Sequence, residues 1–446
     1  MYARSIFSAL LCWATFALPL THAQGDLYRI LNDEYSAFNT RYELLRTAKQ
    51  EILFSTYIIK GDAIGHGKLK TLADAAKRGV KVKVILDDRG NKMPTDMLLY
   101  LKEQGVEVKI FNKQNWLKPQ TVFRRMHGKM LIVDSTYLLV GGRNVDNAYF
   151  RMDSVSNFLD REVLVRGSRA VGNARQHFLA MWNHEKLCHP VEGSLSPVQR
   201  QQCAQLMDSS IVLLRQQLPK LRVLRAPDTL SAAATLKPTV SPVNFIHANF
   251  TTTVKGEKRR ARNSDRRVTQ EMLELVASAD YTLDIEAAYF LPTHRWMKAL
   301  RAAHKRGVRI RVMTNSAASN DLTVAQAVYS NKRNRYRRAG IGLYEYCGGR
   351  MVHVKAMVID TQISVIGSYN MERKSERLNT EVMAWVNDPH HARLHLALFE
   401  RNLQKCKPYK GTCATPVPPL TPEQRKRKRT VGWMRYTIAP LADLMF

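Results

Sequence analysis

The sequence predicts an α/β protein built from two copies of one unit, which form two pseudo-symmetric lobes, each with a mixed sheet flanked by helices. Two observations support this fold. A His-x-Lys-x4-Asp pattern followed by Gly-[Gly/Ser]-x-Asn begins at His127 and begins again at His353, with identical internal spacing. Strand-like apolar stretches alternate with helix-like stretches in the same order before each copy. We therefore expect the two motifs to meet at one active site at the lobe interface.

The elements of the first copy follow from hydrophobic periodicity and from residues that end helices. From Asp26 the chain is expected to enter a helix that includes residues 42–45, before an apolar strand at 51–59. A helix over 69–77 ends at Gly79, because glycine readily adopts the left-handed conformation that closes a helix. The alternation continues with a strand at 80–86, a helix at 95–103 and a strand at 106–111. This order predicts parallel strands joined by right-handed crossovers.

The second copy repeats the first and sets the domain boundaries. Its matching stretches are 282–290, which corresponds to the first strand, 302–312, which corresponds to 75–84, and 339–344, which corresponds to 104–109. Between the copies, residues 209–221 look helical, and a Pro-, Ser-, Ala- and Thr-containing linker spans 227–242. The predicted division is a signal peptide at 1–23, an N-terminal lobe at 24–205, a helix and linker at 206–242, a C-terminal lobe at 243–415 and a tail at 416–446.

Each motif pairs a histidine with a lysine two residues later. Both motifs are rich in β-branched and apolar residues and are predicted to be strands. Alternate residues of a strand share a face, so His127 should project with Lys129, and His353 with Lys355. An ammonium group that holds a phosphate beside an imidazole that attacks it or donates a proton suits phosphoryl chemistry. These four residues are the first candidates for catalysis.

The other motif residues have different expected positions. Asp134 and Asp360 are candidates as members of the motif, but their odd offset from the histidines places them on the opposite face, where we interpret them as turn formers. After a second strand and a glycine, Asn144 and Asn370 can offer side-chain amides to phosphate oxygens. Lys129 and Lys355 are expected to bind the same phosphate.

A strand carrying a carboxylate near its start follows each motif. Such a carboxylate can accept a hydrogen bond from the unreactive imidazole nitrogen and so fix the tautomer. Glu381 is the candidate after the second motif. After the first motif, Asp160 and Glu162 share one strand face and compete for this role. The alternative is that these acids face solvent at a strand edge.

The composition favours an anionic partner. The chain of 446 residues carries a formal net charge of +31. Such a charge is typical of proteins that bind phospholipid head groups, an anionic membrane surface or nucleic acid, and the charge alone leaves all three open. The basic residues 258–262 fit either an anion-steering surface or a solvated loop.

The N-terminus is typical of an export signal. Arg4 precedes an apolar stretch at 5–20, and residues 21–23 form a cleavage site that would leave Gln24 first. The alternative is an uncleaved anchor. We predict export across the inner membrane, to the periplasm or the medium, with peripheral membrane association.

The tail and the cysteines are the remaining features. Basic residues 425–429 precede an aromatic and apolar stretch from Val431 to Phe446, a pattern that favours an anionic membrane surface; packing against the protein body is the alternative. Export permits disulfides, and sequence proximity favours Cys188–Cys203 and Cys406–Cys413, with Cys347 left over. The spacing of cysteines and histidines matches no zinc site.

Together these residues resemble the phospholipase D superfamily and, more narrowly, bacterial cardiolipin synthases of the C type. The resemblance covers most of the mature chain. It is carried by the two His-x-Lys motifs, by residues 141–144 with Tyr149 and Phe150 nearby, by residues 314–316 and by residues 377–381.

The resemblance implies metal-independent phosphatidyl transfer without a cofactor, through a phosphohistidine intermediate. It assigns His127 as the nucleophile and His353 as the acid and base, with the lysines and asparagines stabilising the phosphoryl oxygens. The expected reaction is phosphatidyl transfer to an alcohol on a phospholipid substrate. The alternatives are phospholipase D hydrolysis, which releases phosphatidic acid, and a phosphodiesterase acting on nucleic acid.

Overall fold

The computed structural model describes residues 26–113, 123–154, 157–217, 236–248, 266–412 and 419–442. The predicted signal peptide, the basic residues 258–262 and most of the linker lie outside the described residues. No described helix combines the length and the apolar character needed to cross a membrane.

The N-terminal lobe alternates strands and helices. Its elements are β1 (Leu27–Leu31), α1 (Glu34–Thr47), β2 (Glu51–Thr56), β3 (Ile59–Lys60), α2 (Ala63–Lys77), β4 (Lys81–Asp87), β5 (Asn91–Lys92), α3 (Thr95–Glu103), β6 (Glu107–Phe111), β7 (Arg125–Met126), β8 (Met130–Val133), β9 (Tyr137–Gly141), a 3-10 helix (Asn147–Phe150), β10 (Phe158–Leu159), β11 (Glu162–Arg166), α4 (Ser168–Trp182), β12 (Cys188–Pro190) and α5 (Pro197–Gln217).

The C-terminal lobe repeats this alternation. After β13 (Lys237–Pro238), which joins the N-terminal sheet, its elements are β14 (Asn244–His247), α6 (Arg267–Ala277), β15 (Thr282–Ala287), α7 (His294–Lys305), β16 (Arg309–Asn315), α8 (Thr323–Arg338), β17 (Ile341–Tyr346), β18 (Met351–Val352), β19 (Lys355–Ile359), β20 (Ile363–Gly367), α9 (Arg373–Arg377), β21 (Asn379–Thr380), β22 (Val382–Asn387), α10 (Pro389–Leu403), β23 (Cys406–Pro408), α11 (Pro422–Thr437) and α12 (Ala439–Ala442).

The two large sheets have the same strand order. The N-terminal sheet runs β12-β6-β4-β2-β8-β9-β11-β1-β13, and the C-terminal sheet runs β23-β17-β16-β15-β19-β20-β22-β14. In each sheet three strands are parallel to one another, β2, β4 and β6 or β15, β16 and β17, and the neighbouring motif strands are antiparallel. The predicted duplicated α/β unit with mixed sheets is therefore confirmed, and β13 is one extra strand at the N-terminal sheet edge.

Local sequence accounts for where the helices begin and end. Asp62 caps α2, since its carboxylate accepts a hydrogen bond from the backbone N–H of Gly65 at 3.0 Å. At the other end, Gly79 has a φ of +90°, and Gly307 has a φ of +95° at the corresponding position after α7. Both glycines adopt the left-handed conformation that side chains disfavour, so each helix stops and a parallel strand follows.

The two sheets pack against each other through a shared apolar core. It contains fully buried residues of β9, β11, β20 and β22, among them Leu138, Val140, Val163, Ile366, Val382 and Ala384. A buried ion pair crosses the same interface, from Arg161 to Glu286. Asn402 donates a hydrogen bond to Glu286 at 3.2 Å, so the carboxylate is held from both lobes. The helices cover the outer faces, where each lobe has its own core.

Two predicted elements are wrong in detail. The first residues after Asp26 form β1, because their apolar side chains pair with the sheet against β11, and the helix begins only after Asp33, whose carboxylate accepts from the Ser36 N–H. Each motif is also interrupted as a strand: His127 lies between β7 and β8, and His353 lies between β18 and β19. These breaks occur because β7 and β18 leave the main sheets and pair with the opposite lobe.

The tail packs against the protein body over its described part. Helix α11 lies along α8, with Val431 buried and with reciprocal hydrogen bonds of 2.8 Å between Arg435 and Asn331. Trp433 and Tyr436 remain 61% and 76% exposed. This helix is therefore packed against the protein body, and the aromatic side chains on its outer face are exposed to solvent.

The predicted disulfides are wrong. Cys188, Cys203 and Cys406 are free and buried, which excludes both Cys188–Cys203 and Cys406–Cys413. Cys347, predicted to be left over, is disulfide-bonded, and its partner lies outside the described residues. Sequence proximity failed because Cys188 and Cys406 occupy equivalent edge strands, β12 and β23, whose cysteines point into the apolar core.

Candidate active site

Two short parallel pairings between the lobes build the site. β7 pairs with β21, so the strand that precedes His127 lies beside the strand that precedes Glu381. β10 pairs with β18, so the strand that precedes Asp160 lies beside the strand that precedes His353. The backbone N–H of His127 donates to Thr380 at 3.0 Å, and that of His353 donates to Leu159 at 2.7 Å. Each lobe therefore supplies the carboxylate for the histidine of the other lobe.

His127 is held by Glu381. The imidazole Nδ1 lies 3.0 Å from both carboxylate oxygens. Glu381 is fully buried and also accepts hydrogen bonds from the hydroxyl of Ser368 at 2.5 Å, from the hydroxyl of Ser375 at 2.6 Å and from the amide of Asn379 at 3.3 Å. This dense set of donors fixes the carboxylate, and the carboxylate fixes the ring.

His353 is held by Asp160. The imidazole Nδ1 lies 2.7 Å from Asp160 Oδ2, and the Arg161 backbone N–H donates to the other oxygen at 2.7 Å. The carboxylate lies directly against Gly142, where an added Cβ would be 2.5 Å from Asp160 Oδ1. Glycine is required at this position because any side chain would displace the carboxylate.

Electrostatics leave both histidines neutral beside ionised carboxylates. Burial lowers the pKa of His127, against the opposing effect of Glu381. Burial and the neighbouring Lys355 lower the pKa of His353 to about 3. Despite burial, the adjacent histidines and lysines keep the pKa values of Asp160 and Glu381 below their usual values. An ionised carboxylate only accepts hydrogen bonds, so Nδ1 carries the proton and Nε2 is the nitrogen left to react.

Two lysines bring positive charge into the buried site. Lys129 and Lys355 each donate to the backbone carbonyl of the histidine two residues earlier, at 2.5 Å for Lys129. Burial lowers the pKa of Lys129 to about 7, and the positive charge of Lys355 lowers it further, against the opposing effect of Glu381. Burial lowers the pKa of Lys355 to about 8, against the opposing effects of Asp160 and Glu381. An anion placed between them would favour the charged form of both.

The two asparagines have different surroundings. Asn144 accepts from the Ile58 N–H and donates to the Tyr149 hydroxyl at 2.8 Å, and that hydroxyl lies 3.3 Å from His353 Nε2. Asn144 therefore orients a tyrosine that contacts His353. Asn370 is buried, and its side-chain oxygen has no hydrogen-bond partner among the described residues. That oxygen is an acceptor and suits a bound donor such as a hydroxyl group, whereas only the Nδ2 group of the amide can donate to a phosphate oxygen.

The motif aspartates lie away from this site. Asp134 accepts from the backbone N–H groups of residues 49–51, and Asp360 accepts from those of residues 280–282, at the opposite end of β2 and β15. Asp134 and Asp360 have φ angles of 52° and 51°, typical of a left-handed turn residue. Their interpretation as turn formers is confirmed, and their place among the candidate catalytic residues stays a prediction.

The competition between Asp160 and Glu162 is also decided. Glu162 forms buried ion pairs with Arg41 and Arg143, and Arg143 additionally donates to the backbone carbonyl of Asp160 at 2.9 Å. Glu162 thus faces its own lobe and holds Arg143, which binds the backbone at Asp160, while the Asp160 carboxylate contacts the imidazole of His353. Sequence alone could not separate them because both lie on one face of the predicted strand.

Several neighbouring residues were missed as parts of the site. Tyr57 packs edge-on against His127, with ring centroids 5.2 Å apart. Phe158 stacks on His353 at 5.7 Å. Asp87 accepts the Met126 N–H at 2.8 Å and so positions the chain entering the first motif. The available signal for Asp87 was its place at the carboxyl end of a parallel strand, where ligand-binding residues collect.

Within the described ranges, no group of three or more His, Cys, Asp and Glu side chains is arranged to hold a metal ion. What the site presents is two imidazoles with reactive nitrogens, two ammonium groups and a buried amide at the junction of the lobes. Such an arrangement can bind a phosphodiester anion, attack its phosphorus and move a proton on and off the departing or entering oxygen.

Comparison with known proteins finds relatives over most of the chain. A family model described as "Cardiolipin synthase, PLD-like domain" matches residues 42–182 and 272–403, more than half of the chain. Cardiolipin synthase C of Escherichia coli (strain K12) is 29% identical over 391 residues, which cover 79% of each chain. An uncharacterised protein of Helicobacter pylori (strain J99) is 26% identical over 432 residues, covering 86% of this chain and 84% of that one.

A solved structure supports the fold. Phosphatidylserine synthase of Haemophilus influenzae Rd KW20 superposes with a TM-score of 0.64 at 14% identity, over 95% of this chain and 98% of the other. At this identity the likeness concerns the fold alone. The two matched segments of the family model each contain one His-x-Lys motif and most strands of its sheet. The chain therefore belongs to the phospholipase D superfamily of phosphatidyltransferases and phosphodiesterases, in the cardiolipin synthase, PLD-like domain family.

Proposed function

We propose that the protein is a phosphatidyltransferase that moves the phosphatidyl group of a phospholipid to an alcohol through a phosphohistidine intermediate, as a cardiolipin synthase would. The observation that carries the proposal is the exchange of carboxylates between lobes, which holds two imidazoles at the junction of the lobes. The cardiolipin synthases among the relatives support the lipid substrate.

The first half of the reaction forms a covalent intermediate. Nε2 of His127 attacks the phosphorus, and the P–O bond to the leaving alcohol breaks as His353 donates a proton to that oxygen. Glu381 stabilises the positive charge that develops on His127. Lys129, Lys355 and Asn370 stabilise the phosphoryl oxygens, and the anionic substrate favours the protonated form of His353 beside Asp160.

The second half reverses the proton movement. His353, now neutral, accepts the proton of the incoming alcohol as its oxygen attacks the phosphorus, and the P–N bond to His127 breaks. Water in place of the alcohol gives phosphatidic acid, which is the phospholipase D alternative. Because the two halves use the same groups, the incoming alcohol alone decides between transfer and hydrolysis.

We also propose that the protein is exported and works at an anionic membrane surface. The N-terminal sequence supports export. Exposed basic residues at 425, 426, 428 and 429 lie on the same helix as exposed Trp433 and Tyr436. Cations beside aromatic side chains suit the interface between anionic head groups and acyl chains.

A three-substrate assay tests the proposed function. Purified protein is incubated with phosphatidylglycerol vesicles, with and without added ethanol, and in parallel with plasmid DNA. We expect a lipid–lipid transfer product, a phosphatidylethanol product when ethanol is present, and intact DNA. Sedimentation of the same vesicles should carry the protein down at low salt and less of it at high salt.

Variants of the two histidines complete this test. His127→Ala should abolish both products. His353→Ala is supplied with an activated donor that has a good leaving group, and mass spectrometry should then find a phosphatidyl adduct on His127. Cleaved DNA beside untouched lipid would refute the lipid substrate. Phosphatidic acid as the sole product would identify a hydrolase.

A further inference from the structure

A basic cavity lies outside the site described above, on the C-terminal lobe. It has a volume of about 280 Å³, is open to solvent, and is bordered by the start of α7, the C-terminal half of α8 and helix α9. Its floor contains the buried apolar side chains of Leu291, Met297 and Tyr336. A cavity with an apolar floor and charged walls suits a ligand that combines a charged group with a less polar portion.

The walls of this basic cavity carry a concentration of positive charge. The basic side chains that line it come from three elements: His294, Lys332, Arg335, Arg373 and Arg377. The nearby acid, Glu376, is fully buried and accepts a hydrogen bond from the Thr293 hydroxyl at 2.5 Å. Several converging cations of this kind are typical of sites that bind phosphate groups.

The start of α7 adds to the positive potential. Thr293 is its N-cap residue, but its hydroxyl makes no capping hydrogen bond and instead contacts Glu376. This side chain therefore does not cap the first backbone N–H groups of α7, which lie at the cavity wall. The helix dipole also favours an anion there.

The basic cavity adjoins the phosphate-binding loop of the active site. Leu291, which lines the cavity, donates from its N–H to the carbonyl of Met371 at 3.0 Å. Met371 directly follows Asn370, and Arg373 follows three residues after Asn370 in sequence. The chain can span at most roughly 11 Å between the Cα atoms over that interval, so one wall of the cavity begins next to the Asn370 loop.

We propose that the basic cavity binds the phosphate group of the acceptor phospholipid. The inference rests on the proposed transfer between phospholipids. The donor phosphate must lie between the two histidines, so the phosphate of the acceptor needs a separate anion-binding site nearby. In phosphatidylglycerol the phosphate is separated from the reacting hydroxyl by one glycerol unit, which matches a subsite beside the Asn370 loop. This subsite would favour a lipid alcohol over water.

Competition between two acceptors isolates this step. Phosphatidylglycerol vesicles with added ethanol give a lipid–lipid product and phosphatidylethanol from the same phosphatidyl-enzyme. The ratio of these products depends only on the acceptor step. Ethanol has no phosphate, so its product reports that the protein is folded and that the donor reacts normally.

Two arginines in the last turn of α8 provide the variant and its control. Arg335→Glu reverses a charge that lines the basic cavity, and Arg338→Glu makes the same change at an exposed position that does not line it. Loss of a charge-assisted contact should lower the lipid-to-ethanol product ratio of Arg335→Glu roughly tenfold or more. Arg338→Glu should keep the wild-type ratio, and both variants should keep wild-type phosphatidylethanol formation.

The other outcomes are distinguishable. A wild-type ratio in Arg335→Glu would overturn the acceptor subsite while leaving the proposed function intact. A wild-type protein that gave no lipid–lipid product would refute the transfer and the acceptor subsite together. Inorganic phosphate, added in increasing amounts, distinguishes a lipid phosphate from free phosphate as the ligand. If added phosphate lowers the product ratio of the wild type, but Arg335→Glu without added phosphate keeps the wild-type ratio, the protein has a site for free phosphate rather than for lipid.

Discussion

At the scale of single residues, two motifs with the same spacing produce two different histidine environments. Glu381 accepts from three side chains besides His127, whereas Asp160 is held mainly by a backbone N–H and by contact with Gly142. Part of the difference follows from one substitution within the repeat, Ser368 in place of Gly142. A hydroxyl in one copy stabilises the carboxylate, and the missing side chain in the other makes room for it.

Asp160→Asn is expected to lower kcat by roughly 10²- to 10⁴-fold, because an amide neither stabilises the imidazolium nor enforces the reactive tautomer. The measurement is phosphatidylethanol formation, with circular dichroism to show that the fold persists. Asp74→Asn, at a partly exposed carboxylate on α2, is the matched control and should leave kcat unchanged. Equal activity of Asp160→Asn and wild type would contradict the assigned contact.

The lysines predict the alkaline side of the pH profile. Their pKa values are lowered to about 7 for Lys129 and about 8 for Lys355, so both are charged below this range and lose their charge as pH rises through it. kcat/KM for the donor lipid should therefore fall as pH rises through about 7 to 8. On the acid side, the lowered pKa of His127 keeps the nucleophile neutral below its ordinary range.

The profile is measured with donor lipid well below KM and a fixed alcohol concentration. Lys77→Gln removes an exposed lysine at the end of α2 and should leave the alkaline fall in place. A profile that stayed flat through the two lysine pKa values would show that their charge is not needed for substrate capture.

At the scale of elements, the motif aspartates act on turns and strand starts. Each one closes the connection between two motif strands and binds the N–H groups that begin the neighbouring parallel strand. Their place in the motif thus reflects the register between β2 and β8, or between β15 and β19, rather than chemistry at the phosphate. The short strands β7 and β18 also act at this level, since they leave their own sheets and pair with strands of the opposite lobe.

Asp360→Ala should destabilise the protein by about 1–3 kcal/mol, because three backbone N–H groups lose their acceptor. Its kcat at a temperature where it is folded should equal that of wild type. Asp360→Asn keeps one acceptor oxygen and tolerates the left-handed conformation, so it should lose less stability. Urea unfolding and product formation measure the two quantities. A loss of kcat without a loss of stability would restore a catalytic role for the aspartate.

At the scale of the whole molecule, the site exists only where the two lobes meet. Arg161 and Glu286 cross this interface with side chains 0% and 1% exposed. Burial alone would raise the pKa of Glu286, but Arg161 and His395 lower it to about 2, so the carboxylate is ionised at neutral pH. Arg161 directly follows Asp160 and Glu286 lies in β15, so the pair joins the catalytic loop to the opposite sheet.

Glu286→Ala leaves Arg161 as a buried and uncompensated charge, and we expect a loss of about 3–5 kcal/mol in the free energy of unfolding. The measurement is the urea midpoint together with kcat. Glu107→Ala, which breaks the exposed pair with Lys83, should cost less than about 1 kcal/mol. An effect no larger than this control would show that the pair does not hold the lobes together.

Local sequence was enough to predict the duplicated α/β unit, both histidine–lysine pairs, and the turn role of Asp134 and Asp360. These features depend on local periodicity and on a repeated motif, and both can be recognised in the linear sequence. Which carboxylate holds which histidine, and that Asp160 rather than Glu162 does so, followed only from the tertiary structure. Those contacts join residues far apart in the chain, and only the packing of one sheet against the other brings them within hydrogen-bond distance.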